Sequence, residues 1–220
     1  MSILELYDNS LLGHSYRVSY YAGELTKHCW DDEELQKDVE EAAMLHDVGK
    51  LSIPKDILYK KDRLTEEEFA IMKQHISYAK HYLSLLSVNP RVCEGVLTHH
   101  ERWDGKGYPG GYEGEGIPLI GRILCIADSF DAMLDSNRVY KSAFSLDKAI
   151  RELEENKEKQ FDAKLVERFV ALVKNEKIKV LSSEDKGVAF SLEEKIAIAE
   201  KKVSKIAAEK KLYKEKEELK

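Results

Sequence analysis

Apolar residues recur along this chain with a helical period, and turn residues divide the pattern into a series of separate helices. In residues 3–28, Leu11, Val18, Ala22 and Leu25 form one stripe. His14 lies on the same stripe, four residues before Val18. In residues 32–48, Leu35, Val39 and Ala42 sit eleven, seven and four residues before His46, so that histidine faces inward. Gly49 reads as a helix stop and Pro54 as a barrier to re-entry. Residues 55–60 form a short helical turn. Thr65-Glu66-Glu67-Glu68 is a capping box that opens a long helix to about Leu86. Phe69, Met72, Ile76, Ala79 and Leu83 line its inner side, with His75 beside them and His81 turned away. Asn89-Pro90 starts the next helix, which turns Val92 and Val96 inward and ends at His99-His100.

Asp104 to Gly116 contains six glycines and reads as a loop whose backbone can approach another group closely. Helix resumes near Pro118, with Ile120, Leu124 and Asp128 on one face. Ser145 caps a helix to about Asn156, and Asp162 caps another to about Asn175. No alternating strand pattern of useful length occurs, so the predicted fold is all-α. After Asn175 the composition turns rich in Lys and Glu. Leu192, Ile196, Ala199, Val203 and Ile206 recur there over too few heptads for a coiled coil. The chain therefore divides into a helical domain, residues 1–175, and a charged C-terminal helical tail, residues 176–220, read as one solvated or docking helix.

Hydrophobic residues make up 43% of the chain, enough for a core. The net charge of −6 argues against DNA or other nonspecific nucleic-acid binding. No apolar run is long enough to span a membrane. Cys29, Cys93 and Cys125 are scattered without a CxxC pair. They read as reduced structural residues of a cytoplasmic protein.

One His-Asp dipeptide, His46-Asp47, is better explained as a core histidine bonded to its neighbour than as a ligand. Seven polar residues on or beside inward stripes are a different matter. His14, His46, Asp47, His75, His99, His100 and Asp128 come from five predicted helices. Buried groups of this kind are costly unless something pairs with them all, and a metal ion would do so. The set is nitrogen and oxygen without thiolate, which suits iron, manganese, zinc or nickel. Five imidazoles and two carboxylates exceed the needs of one ion. Two divalent ions sharing a bridging carboxylate are expected, an arrangement suited to displacement at phosphorus.

The stretches around these residues resemble a known family. His14-Ser15-Tyr16-Arg17, His46-Asp47-Val48-Gly49-Lys50 and Ile53-Pro54 occur in that order. His99-His100-Glu101-Arg102-Trp103-Asp104-Gly105 then runs on to Gly107-Tyr108-Pro109, and Gly114-Glu115-Gly116-Ile117-Pro118, Ala127-Asp128-Ser129-Phe130-Asp131 and Phe161-Asp162-Ala163 follow. Together they are similar to the HD-GYP subfamily of the HD superfamily of metal-dependent phosphohydrolases, over about residues 11–173. The resemblance implies an HD-domain helical bundle with the tail as an extension. It implies hydrolysis of cyclic di-GMP to pGpG, and often on to GMP, by a hydroxide bridging two metals, with iron or manganese ahead of zinc or nickel.

The resemblance assigns the same seven residues as metal ligands, with Asp47 as the bridge. Lys50 is implied to contact the scissile phosphate or protonate the leaving oxygen. A third metal in some members uses a glutamate one turn before the first histidine. That position is Ser10 here, so two ions are expected. The family's Arg-Pro-Tyr-Arg segment is replaced by Arg138-Val139-Tyr140-Lys141, with one extra residue before it; Arg138 and Lys141 are expected to meet the substrate's phosphates. Tyr108 is expected to stack on guanine or cover the metal mouth, to anchor the loop, or to help form a surface for a protein partner. Asp104 is expected to brace the loop, and Asp131 to orient a ligating histidine. A homodimer is compatible with the sequence. Two other functions compete: an HD phosphohydrolase of another nucleotide, and a catalytically weak cyclic di-GMP receptor signalling through partner proteins.

Overall fold

A computed structural model describes residues 9–86, 88–135 and 143–182. Its described residues are helical, apart from loops and an isolated bridge between Lys157 and Phe161. The helices are α1 (Asn9–Cys29), α2 (Glu33–Leu45), α3 (Lys55–Leu58), α4 (Glu66–Lys73), α5 (His75–Leu86), α6 (Pro90–Thr98), α7 (Leu119–Leu134), α8 (Leu146–Glu155) and α9 (Ala163–Lys174). A 3-10 turn, Val48–Ser52, lies between α2 and α3.

The helix starts follow capping chemistry. Asp32 accepts from the Leu35 N–H at 2.8 Å, and Glu33 and Glu34 follow it at the positive end of α2. Thr65 and Glu68 form the predicted capping box. Asn89 caps α6 ahead of Pro90, and Ser145 and Asp162 cap α8 and α9.

Apolar α7 runs through the middle of the bundle, against α1, α2, α6, α8 and α9. Tyr21 of α1, Phe130 of α7 and Phe169 of α9 meet edge to face, with centroids 5.0–6.4 Å apart. The α6–α7 crossing is close because it is built on glycines. A Cβ on Gly121 would lie 2.2 Å from Thr98 Oγ1, and one on Gly95 2.3 Å from Ile120. This close crossing carries the end of α6 toward Asp128. A partly buried Arg122–Asp162 pair at 2.8 Å ties α7 to the start of α9.

Three expectations are corrected. The helix predicted from Thr65 to Leu86 is two helices, because Gln74 ends α4 and the His75 ring takes the Met72 carbonyl at 2.7 Å. In a continuous helix that carbonyl would serve the backbone. Phe69 and Met72 are therefore not core residues: α4 buries none of its side chains, and Phe69 is 46% exposed. The second helix ends at Leu45 rather than 48, and Gly49 is not a stop. It lies inside the 3-10 turn, where a Cβ would sit 1.8 Å from the His75 carbonyl oxygen. The packed core also runs past residue 175, since Ile178 and Leu181 are buried and the Leu181 N–H donates to Tyr21 Oη at 2.9 Å. Residues 183–220, with the predicted apolar positions of the tail, lie outside the described residues.

Candidate metal centre

Five pieces of the chain converge on one point. α1 brings His14, the turn after α2 brings His46 and Asp47, and the start of α5 brings His75. The end of α6 brings His99 and His100, and α7 brings Asp128. Ligand atoms of His75, His99 and His100 lie within 4.8 Å of one another, and so do those of His14, His46 and Asp128. His46, Asp47 and His99 form a third such group, between the other two. All seven residues named from helix phase are thus together, in two clusters with Asp47 in the middle. Its Oδ2 faces His46 Nε2 at 3.3 Å and His14 Nε2 at 3.9 Å, while its Oδ1 faces His75 Nε2 at 3.9 Å.

The imidazoles are held with one nitrogen outward and one inward. His46, His75 and His99 each donate from Nδ1 to the carbonyl three residues earlier, Ala43, Met72 and Val96, all at 2.7 Å. A carbonyl can only accept, so these bonds place the proton on Nδ1 and leave Nε2 with a lone pair. Those three Nε2 atoms and Asp47 Oδ1 are buried without a hydrogen-bond partner. Buried polar atoms are rarely left so, and four of them aimed at one point fit a divalent cation.

Electrostatics point the same way. Burial pushes the pKa of His99 well down and that of His100 down to about 3, so both stay neutral bases. His75 is lowered by the same cause. Burial would raise Asp47 and Asp128, but neighbouring His46 and Lys50 hold Asp47 well below the usual carboxylate range, and His14 does so for Asp128. Burial also works against charge on His14, yet hydrogen bonds to Asp128 and Asp131 raise it to about 9. Positive charge is therefore favoured between His14 and the carboxylates.

Asp131 holds His14 as expected, accepting from Nδ1 at 2.7 Å. Arg17 in turn grips Asp131 with two bonds, at 2.6 and 2.9 Å, and reaches Asp135 at 3.2 Å. Lys50 Nζ donates to Asp47 Oδ2 at 2.5 Å, at the edge of the cluster. Tyr108 lies over His100, with ring centroids 4.8 Å apart. Asp104 braces the loop by pairing with Arg102 and accepting from the Lys106 N–H. Ser10 lies in α1, but its side chain, like all of Arg138 and Lys141, lies outside the described residues.

Several site residues were not singled out from sequence. Buried Glu101 accepts the N–H groups of Gly110 and Gly111 at 2.5 and 3.1 Å and so fixes the glycine-rich loop. Gln160, from the distant α8–α9 connection, accepts from Arg102 and donates to Ser129. Arg17 carried one readable signal, a cation three residues after His14 on the same helix. A cavity of about 450 Å³ opens beside the cluster between His100, Asp128, Tyr108, Phe69 and Gln160.

The chain is similar to known proteins in sequence and in fold. A family described as "HD domain" matches residues 1–165. A cyclic di-GMP phosphodiesterase of Thermotoga maritima is 43% identical over 73% of this chain and 44% of its own length. One from Vibrio cholerae is 46% identical over 60% of this chain and 28% of its own. A 3'3'-cGAMP-specific phosphodiesterase 2 of Vibrio cholerae is 40% identical over 70% of this chain and 30% of its own. This chain thus spans less than half of each. In fold it is similar to Bd1817, an HDG"Y"P protein from Bdellovibrio bacteriovorus, with a TM-score of 0.62 at 16% identity, covering 76% of this chain and 53% of the other. Among the described residues no helix is long and apolar enough to cross a membrane. The chain belongs to the HD domain family, in its HD-GYP branch.

Proposed function

We propose that this chain is a metal-dependent phosphodiesterase that opens cyclic di-GMP to pGpG. The observation that carries the reading is the set of buried imidazole nitrogens without partners, facing a carboxylate between two ligand clusters. Two divalent ions, iron or manganese ahead of zinc or nickel, would be held by His14, His46, Asp47, His75, His99, His100 and Asp128. When bound, such ions neutralise phosphoryl oxygens and lower the pKa of water beside them.

The chain's own groups do the rest. Asp47 turns one oxygen toward each cluster and stays ionised, which suits a bridging ligand. The carbonyls of Ala43, Met72 and Val96 hold three imidazoles in the tautomer that presents a lone pair. The Lys50 ammonium is anchored on Asp47; in this reading it meets a phosphate and gives its proton to the leaving oxygen. Tyr108 covers His100 and offers a ring edge to a base, on a loop held by Glu101. Arg138 and Lys141 enter this reading from the sequence alone, as phosphate contacts.

The substrate follows from the names of the relatives, and one relative points to a second choice, 3'3'-cGAMP. Metal-loaded protein is given each cyclic dinucleotide, and the products are separated by chromatography. Linear pGpG from cyclic di-GMP, at a higher kcat/KM than for 3'3'-cGAMP, supports the reading. Preference for 3'3'-cGAMP replaces the substrate. Tight binding of cyclic di-GMP without turnover refutes the enzyme and favours a receptor.

A further inference from the structure

Helix α4 presents three large apolar residues, Phe69, Ile71 and Met72, and buries none of its side chains fully. Phe69 is left 46% exposed. Ile71 and Met72 are half-buried, so the exposed ring of Phe69 is the apolar surface this helix has to offer something else. Phe69 meets Tyr108 edge to face at 6.3 Å, and both line the cavity beside the ligand clusters. Lys73, one turn after Phe69, also lines it. Its Nζ lies 5.2 Å from the Phe69 ring and 5.9 Å from the Tyr108 ring. Among the described residues no carboxylate pairs with Lys73, although α4 opens with three glutamates. Glu68 is instead taken by Lys60 at 2.5 Å.

An i, i+4 Phe-Lys pair is common on helix surfaces. This one differs in facing a cavity and in touching a tyrosine from a separate loop. A cyclic dinucleotide carries two phosphodiesters and two bases. Among the described residues, the metal centre and Lys50 account for one phosphodiester only; Arg138 and Lys141, the phosphate contacts read from the sequence, lie outside them.

We propose that α4 supplies the other half of the substrate site: Phe69 gives its ring to one purine base, and Lys73 pairs with the phosphodiester that is not being cleaved. Exposed aromatic rings accept bases by stacking, and an ammonium beside them that no carboxylate holds accepts a phosphate as a point charge. This inference rests on the proposed function. It adds a specificity device on an element that supplies none of the seven ligands.

The test compares metal-loaded wild type with F69A and K73Q, and with the conservative F69W and K73R. Two substrates are used: cyclic di-GMP, and bis(p-nitrophenyl) phosphate, which has one phosphodiester and no base. The readout is the ratio of their kcat/KM values. In F69A and K73Q this ratio falls about tenfold, through KM for cyclic di-GMP, the scale of one lost stack or charged hydrogen bond. F69W and K73R recover most of it. Calorimetric affinity for pGpG falls by a similar factor, and metal content is retained. An unchanged ratio overturns the inference. So does an equal loss on both substrates with loss of metal, which would make α4 only a support for His75. If wild type cleaves bis(p-nitrophenyl) phosphate but leaves cyclic di-GMP intact, the proposed function fails first, and this inference fails with it.

Discussion

Replacing Gly49 by alanine separates two explanations of the same residue. If Gly49 only ends a helix, alanine costs nothing and can stabilise by up to about 1 kcal/mol, since it loses less backbone freedom. The structure gives a different answer. An added Cβ would sit 1.8 Å from the His75 carbonyl oxygen and 2.7 Å from the Ala79 amide nitrogen. An ordinary carbon–oxygen contact is about 3.3 Å, so the 3-10 turn and α5 must part by roughly 1.5 Å. Neither obstacle is a side chain that can swing away. Overpacking of this kind costs about 3 kcal/mol, which for a chain of this size lowers Tm by roughly 6–12 °C. The displaced element begins at His75, and the displacing one follows His46 and Asp47 directly. A misplacement of about 1 Å at such a site costs about 100-fold in rate. The assay is thermal unfolding after chelator treatment, so that bound metal does not stabilise either protein. Metal content and turnover are then measured on reloaded protein. A variant with wild-type Tm and full metal content would refute the packing argument.

Asp47→Ala should abolish hydrolysis and lower metal content while the helical circular dichroism survives, because two like charges lose the carboxylate between them; near-normal turnover would sink the two-ion reading. Asp131→Asn should weaken metal binding by about 10- to 100-fold in a chelator competition, since His14 loses the charge that orients it and Arg17 loses its partner; an unchanged affinity would show that His14 is held by packing alone. Arg138→Ala should weaken cyclic di-GMP binding by about 1.5–3 kcal/mol without changing metal content. An affinity unchanged from wild type at each of two salt concentrations would place that residue away from the phosphates. Burial pushes the Cys125 thiol up to about 12, so it stays protonated at neutral pH. It should resist iodoacetamide in the folded protein while half-buried Cys29 and Cys93 react first; early labelling of Cys125 in intact protein would contradict its burial.

The sequence carried the periodic part of this structure and missed most of what depends on contacts between distant segments. Helix phase placed His14, His46 and Asp128 on inward faces because a period of 3.6 fixes which residues share a side. The same reasoning put Phe69 inside, since it follows the stripe of α5 backwards through Gln74. Nothing local announces that the helix breaks there. The break exists because the His75 ring takes the Met72 carbonyl. Glu101 reads locally as one more charge before a loop, and only the folded loop turns the amides of Gly110 and Gly111 onto it. Gln160 lies 58 residues from Arg102, too far for any pattern to pair them.

Three helix ends, two of them misread from the sequence, have one cause. The last carbonyls of a helix have no backbone donor, and they need a partner from elsewhere. At the ends of α2, α4 and α6 that partner is the Nδ1–H of the histidine that follows, His46, His75 or His99. One bond thus satisfies the orphan carbonyl, ends the helix and fixes the tautomer whose other nitrogen faces the cluster. For this reason His46, His75 and His99 sit at helix ends. His14, inside α1, finds the helix carbonyls already taken and is oriented by the Asp131 carboxylate instead. The helix after Thr65 must therefore stop at Gln74 for His75 to be a competent ligand. An amphipathic pattern that runs unbroken through a histidine can conceal such an end, and here the concealed end is also what leaves Phe69 and Lys73 at the mouth of the cavity.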